Sequence, residues 1–356
     1  MATESPDRSK GTLDSFLLAL YRHMAERSDS ASKIAHPDPQ VREFYRVFLE
    51  FAPKFEQQLL AALARRVYLD PTHIADLLLR AAIYLNRSEQ PWYDFLQAMG
   101  LRQKNDYADI IAMRNVATFI PARYRSLATI ASYIATYKPL GLRVTDWGCS
   151  LNLGLRYVMQ PHLLLGSESG LIPLLEDYTD DVTALLSRRA LIVKDAVGID
   201  VVDLNSEEWV DWANACSYGT QQRLSFDVIT NDLPIEMIVA DVTKDLYELK
   251  YSGRLFDLVH ASMMTHQLSS SDHSMLLLNA AALLDTGGMF VELTFRTPNV
   301  FNQPRNTVTK IRFLLADGSL SEPYQWLEWD NSQCGVVWPG KDFHMVKQHM
   351  ASREVN

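Results

Sequence analysis

The stretch RVTDWGCSLNLG, Arg143–Gly154, decides how this chain is read. Its first four residues, Arg143 to Asp146, read as the end of a strand, and the run LGLRYVMQ that begins at Leu153 has helical character. Between them lies a turn built from Gly148, Cys149, Ser150, Leu151 and Asn152. A strand, a small-residue turn and a helix make up the usual opening of a nucleotide-binding unit.

Downstream of this turn, short runs rich in Val and Ile recur: AVGIDVV, EMIVADV, FDLVHAS and GMFVELTF, with helical runs between them. Strands that alternate with helices imply βαβ units and a parallel sheet covered on both faces. From Lys310 the pattern changes again. KIRFLLADGSLSEPYQWLEW places strand-like runs on either side of an Asp-Gly turn, which suits an antiparallel pair at the sheet edge.

Upstream the chain is helical. Leu13, Phe16, Leu17, Leu20, Tyr21 and Met24 recur at three and four, the stripe of an amphipathic helix. Pro53 is expected to end or kink the helix that runs through Val41, Phe44 and Phe48, while Asp70 and Pro71 form a start signal for the next. Helical runs continue to ARYRSLATIASYIATY, and KPLG at 138–141 reads as a joint.

The bulk numbers narrow the classes. At 356 residues, 47% hydrophobic and 22% charged, the chain can fold as one large domain or two ordinary ones. A net charge of -9 argues against a protein that works by neutralising nucleic-acid phosphates. Three scattered cysteines, Cys149, Cys216 and Cys334, give neither a disulfide framework nor a metal-ligand spacing. No run approaches the roughly 20 apolar residues that span a bilayer, and the polar start lacks the apolar core of a signal peptide. A cytoplasmic protein with no membrane partner and no metal is expected.

In an open parallel sheet the ligand sits beyond the carboxyl ends of the strands, so the residues that close each strand carry the chemistry. The first strand gives Asp146, Gly148 and Ser150; the second gives Asp200, where a carboxylate can accept from both hydroxyls of a ribose; the third gives Asp241; the fourth gives Ala261 and Ser262. The ordered series VTDWGCS, VGIDVVD, MIVADVT, FDLVHASMMTHQLS, LLDTGG and MFVELTF resembles the motifs of the class I methyltransferases, which use S-adenosylmethionine. The resemblance covers residues 140 to 300. Within it, GIDVVDLNSEEWVDWANA followed by QQRL, together with the helical preamble, is similar to an uncharacterised methyltransferase-like bacterial family with no assigned substrate.

The resemblance implies a fold and a site. The expected fold is α/β: a Rossmann-like, doubly wound, mostly parallel sheet with an antiparallel C-terminal edge, preceded by an all-helical N-terminal domain. Residues 1–10 are expected to be a disordered tail, 11–140 a helical cap or oligomerisation domain, and 141–356 the Rossmann-like domain. S-adenosylmethionine is the implied cofactor. Gly148 lets the backbone pass close to it, Asp146 orients the turn and contacts the methionine part through water, Asp200 binds the ribose, and Asp241 with Val242 lies against the adenine. Ser150 and Ala261 complete the pocket. The implied partner is a small-molecule acceptor enclosed between domains, with homo-oligomers formed through the helical part.

The turn departs from the family pattern Asp-x-Gly-x-Gly-x-Gly, because Ser150 and Asn152 stand at the second and third glycine positions. Asn152 tolerates left-handed geometry, so the turn can close over a narrower floor. The missing glycines favour an alternative, a non-catalytic Rossmann-like binding or scaffold protein, and speak against a nicotinamide cofactor, whose pyrophosphate needs glycine-lined donors. His266 is the candidate catalytic base, set against a plain loop hydrogen bond; His260 and His273 have weaker cases. Cys149, Met263 and Met264 are read as packing, Trp147 as packed under a helix on the face opposite Asp146, and Arg123 as an anion binder set against a solvated or salt-bridged arginine. Trp326, Trp329 and Trp338 either cover the sheet edge or form a substrate lid.

Overall fold

The computed structural model describes residues 12–64, 66, 70–114, 116, 124–138, 140–149, 152–161, 191–201, 206–217, 233–244, 246–296, 306–329 and 337–352. The chain divides into two compact units: Met1–Thr118 with Glu207–Leu224, and Phe119–Ser206 with Ser225–Asn356. The joint expected near residue 140 lies inside the second unit.

The first unit is helical: α1 (Thr12–Ser28), α2 (Pro39–Phe51), α3 (Glu56–Ala64), α4 (Pro71–Leu85), α5 (Trp92–Ala98) and α6 (Leu101–Met113). Start signals in the sequence set these helices. Asp38 caps α2 by accepting from the Gln40 N–H, and Asp70 caps α4 by accepting from the Thr72 N–H at 2.7 Å, each followed by proline at the first helical position. At Pro53 the chain makes a short 3-10 turn between α2 and α3. The apolar stripe of α2 buries Phe44, Phe48 and Phe51, with Phe44 edge-on to Trp92 at 5.1 Å.

A seventh helix of this unit, numbered α9 in chain order (Glu207–Ser217), comes from the alternating half of the sequence. Its buried Trp212 meets Tyr84 of α4 edge-on at 5.9 Å. The Arg114 guanidinium lies 5.0 Å from the Tyr84 ring and 5.2 Å from the Trp212 ring and pairs with Glu208, while Arg87 pairs with Asp211 at 2.7 Å. The continuous block 141–356 expected from the sequence is interrupted by this helix, because an amphipathic pattern shows that a helix packs but not on what.

The second unit is built on one eight-stranded sheet: β1 (Leu142–Trp147), β2 (Val193–Asp200), β3 (Glu236–Val239), β4 (Phe256–Ser262), β5 (Leu284–Phe295), β6 (Thr307–Phe313), β7 (Tyr324–Trp329) and β8 (Val337–Pro339). The order is β3-β2-β1-β4-β5-β6-β7-β8, with the first five strands parallel and the last three antiparallel. It is the Rossmann-like, doubly wound sheet with an antiparallel C-terminal edge. The order reverses between β1 and β4, and this switch point is where ligands bind in such sheets.

Helices lie on both faces. α7 (Arg125–Tyr137) and α8 (Leu153–Met159) pack on β1, whereas α10 (Tyr247–Tyr251) and α11 (Ser270–Leu283) cover the opposite face. There Trp147, Val197, Ile199, Val259, Ala261 and Phe290 meet Leu246, Leu249, Leu276, Ala280 and Leu283 in one apolar core. Trp147, wholly buried, packs under helices on the face opposite Asp146, as strand alternation requires. At the antiparallel edge Gly318 takes φ +81 in the expected Asp-Gly turn, and Trp326 and Trp329 are buried. Trp329 donates to Thr309 and Trp326 stacks on Phe343 of the last helix, α12 (Phe343–Ala351), so both cover the edge.

Candidate functional site

β1 ends in the centre of the sheet, and its last residues build the turn that faces the switch point. Gly148 takes φ +63, a conformation that costs a residue with a β-carbon about 1–2 kcal/mol. A β-carbon there would also stand 3.1 Å from the Met264 sulfur. The turn is tied to β2, since the Gly148 N–H donates to the Ile199 carbonyl at 2.8 Å. That carbonyl immediately precedes Asp200, so the turn after β1 and the acidic end of β2 are held side by side.

Asn152 closes the turn at φ +57 and serves as the N-cap of α8 without a side-chain capping bond. Its amide instead lies over Gly198 of β2, with Nδ2 on the Met237 sulfur. A β-carbon at Gly198 would collide with Asn152 Oδ1 and stand 2.8 Å from both Cys149 Sγ and Met237 Sδ. The glycine in VGID is therefore a requirement of space. Cys149 fills the same region, 1% exposed, and burial with the charges of Asp200 and Asp146 pushes its thiol well above the usual range. It packs; a nucleophile would need the opposite shift.

Asp146 is the least expected feature. It is 1% exposed, and its Oδ1 accepts from His260 Nδ1 at 2.7 Å, across the β1–β4 register that sets Asp146 beside His260. Because an ionised carboxylate only accepts, the shared proton belongs to Nδ1 of the imidazole. Oδ2 lies against Gly154 in the first turn of α8, where a β-carbon would collide with it. Among the described residues, Asp146 Oδ2, Asn152 Oδ1 and His260 Nε2 are all buried without a hydrogen-bond partner. An orphaned buried polar group costs about 1–3 kcal/mol, more when charged. Three of them around one turn call for a ligand or water that supplies donors.

The other strand ends differ. Asp200 is half-buried and accepts from the Val201 N–H at 2.8 Å. Asp241 accepts from the N–H and hydroxyl of Thr243 at 2.9 and 2.6 Å, a local capping turn. Val242 and Ala261, expected at the pocket wall, belong to the apolar core, with the Val242 carbonyl taken by Asn279. Asp146, Gly148 and Asp200 are thus drawn together, whereas Val242 and Ala261 are not. Ser150 and Arg123 lie outside the described residues.

β4 leaves the sheet through Met263 at φ +54 and enters a 3-10 turn, Thr265–Gln267, that carries His266 edge-on to Phe295 at 4.8 Å. Thr265 donates to the buried carboxylate of Glu292 on β5 and to Thr294 at 3.1 Å. Burial pushes the Glu292 carboxyl up, yet His273, whose Nε2 lies 3.9 Å away, the bond from Thr265 and the charge of Lys310 hold it below the usual range. The sequence reading singled out neither Glu292 nor the pairing of His260. Both are readable only once the strand register is known. Among the described residues no group of three or more His, Cys, Asp or Glu side chains could hold a metal ion, and no helix is long and apolar enough to cross a membrane.

Comparison with known proteins gives structural likeness only. No family model and no curated protein matches the sequence. Among solved structures, the plantazolicin methyltransferase BpumL in complex with a monoazolic desmethylPZN analog and SAH is 16% identical, with a TM-score of 0.29 over 62% of this chain and 60% of that one. CalS10, an amino pentose methyltransferase from Micromonospora echinaspora, is 15% identical, with a TM-score of 0.28 over 56% of this chain and 70% of that one. An O-methyltransferase family protein from Burkholderia thailandensis is 11% identical, with a TM-score of 0.32 over 75% of this chain and 56% of that one. This chain spans about 60% of the length of the plantazolicin enzyme. Its own strand order and pairing define its fold.

Proposed function

We propose that the chain is an enzyme that binds S-adenosylmethionine at the end of β1 and transfers its methyl group to a small-molecule acceptor. One observation carries the reading: the turn at the switch point offers orphaned acceptors, Asp146 Oδ2 and Asn152 Oδ1, where a dinucleotide enzyme offers donors. A pyrophosphate at the start of α8 would meet a buried carboxylate, and like charges exclude one another. S-adenosylmethionine brings a sulfonium and an ammonium group instead. Asp200, beside the turn, suits the ribose hydroxyls.

Methyl transfer from a sulfonium is an in-line displacement that needs alignment and exclusion of water. The residues in hand supply the first of these: Gly148 and the turn seat the cofactor, and His266, on its 3-10 turn, is the proposed group that takes a proton from the acceptor. The helical unit is proposed to cap the enzyme or to oligomerise it.

A second reading, a binding or scaffold protein without turnover, is favoured by the way the Asn152 amide and the Cys149 thiol fill the space over Gly198. Calorimetric titration separates the readings in two steps. The protein is expected to bind S-adenosylmethionine and S-adenosylhomocysteine but not NAD, and Asp200→Ala is expected to lose at least tenfold, about 1.4 kcal/mol. Absence of adenosyl binding sinks the proposal. Binding with no turnover across an acceptor screen moves it to the scaffold reading.

A further inference from the structure

We infer that His260 is a positioning residue of the cofactor site, acting through Asp146 on the amino-acid end of S-adenosylmethionine; the inference rests on the cofactor reading above. A carboxylate at the end of a strand can turn about its last bond and satisfy itself locally, as Asp241 does with Thr243. Asp146 does not. Its Oδ1 is held by His260 Nδ1 from the neighbouring strand, and both side chains are wholly buried, at 1% and 0% exposure.

With Oδ1 pinned, Oδ2 is turned toward the first turn of α8 and lies against Gly154, where a β-carbon would collide with it. Among the described residues Oδ2 has no hydrogen-bond partner. The imidazole thus fixes which oxygen is spent inside the protein and which is kept for a donor, the ammonium of the cofactor or a water bound to it. Nothing in this arrangement touches the adenosine end. His260 is therefore expected to affect ligands that carry the amino-acid end and to leave others alone.

The test compares S-adenosylhomocysteine with methylthioadenosine, which lacks the amino-acid end, by calorimetry on the full chain. His260→Leu is expected to weaken S-adenosylhomocysteine at least tenfold and methylthioadenosine by less than about twofold, tenfold being about 1.4 kcal/mol. His260→Asn, which keeps an N–H near the position of Nδ1, is expected to hold S-adenosylhomocysteine within about threefold, 0.65 kcal/mol on the same scale. His260→Gln, which moves the amide by one bond, takes the place of the leucine variant if that variant does not fold. Equal loss of both ligands in a folded variant, or no loss of either, overturns the inference and leaves the cofactor reading standing. A wild-type protein that binds neither ligand overturns the cofactor reading and this inference with it.

Discussion

Gly154 and Gly198 are the residues through which the turn tolerates its own side chains. Each lies under a polar group, the carboxylate of Asp146 or the amide of Asn152, and each would bring a β-carbon into collision. Gly154→Ala and Gly198→Ala are expected to destabilise the protein by about 1–3 kcal/mol each, the range for overpacking a filled core. Gly100→Ala, where a β-carbon meets nothing within 4 Å, is expected to change stability by less than about 0.5 kcal/mol. Adding Asn152→Gly to Gly198→Ala should recover part of the loss, a coupling read from urea midpoints of the four proteins of the cycle. Independent, additive losses would mean that Asn152 does not occupy the space over Gly198. At this scale the sequence was informative wherever a residue acts through its own backbone. Gly148 and Asn152 both take the left-handed geometry that their types allow. It was poor wherever a residue acts through a distant partner: Asp146 and His260 are 114 positions apart, and only the β1–β4 register joins them.

At the scale of elements, the amino ends of the central strands carry a charge cluster that has no part in the proposed chemistry. Asp257 at the start of β4, 2% exposed, accepts from the Arg143 N–H at 2.9 Å, from the Arg143 guanidinium at 2.8 Å and from Lys138 at 2.5 Å. Arg143 also bonds Asp285 at the start of β5. Burial alone pushes the Asp257 carboxyl up, but the bonds from Arg143 and Lys138 prevail and hold it below the usual range; Arg143 does the same for Asp285. Both folded-state values are lower than the unfolded value of about 3.9, so the stability they contribute is fully present above that pH. It is lost as the pH falls through the folded values. Asp257→Asn is expected to cost about 2 kcal/mol at neutral pH and to flatten the acid limb of the stability curve below about pH 4. Urea unfolding across that range checks it, and an acid limb as steep as that of the wild type would remove Asp257 from the account. The strands themselves were legible, since Leu258, Val259 and Ala261 of β4 are apolar and the strand is buried on both faces, as a central parallel strand must be. The short β8 was not, because three residues carry no period.

At the scale of the whole molecule, the chain leaves the unit of the sheet after β2, contributes α9 to the helical unit, and returns for β3. The sequence showed helical runs between the strands but could not assign the partner of this one, which depends on Tyr84 and Arg114 far upstream. If α9 is held by that contact, truncating it should act on one unit only. Trp212→Ala removes a fully buried side chain from between α4 and α9, a change that costs about 3–5 kcal/mol in a packed core. Amide exchange read by mass spectrometry is expected to show faster exchange in α4, α6 and α9, with β1, β4 and β5 as protected as in the wild type. Binding of S-adenosylhomocysteine then supplies an internal check, because a ligand held by the turn after β1 should still slow exchange around that turn in the variant. Loss of protection spread evenly over helices and sheet would show one cooperative unfolding, and the two units would have to be treated as one.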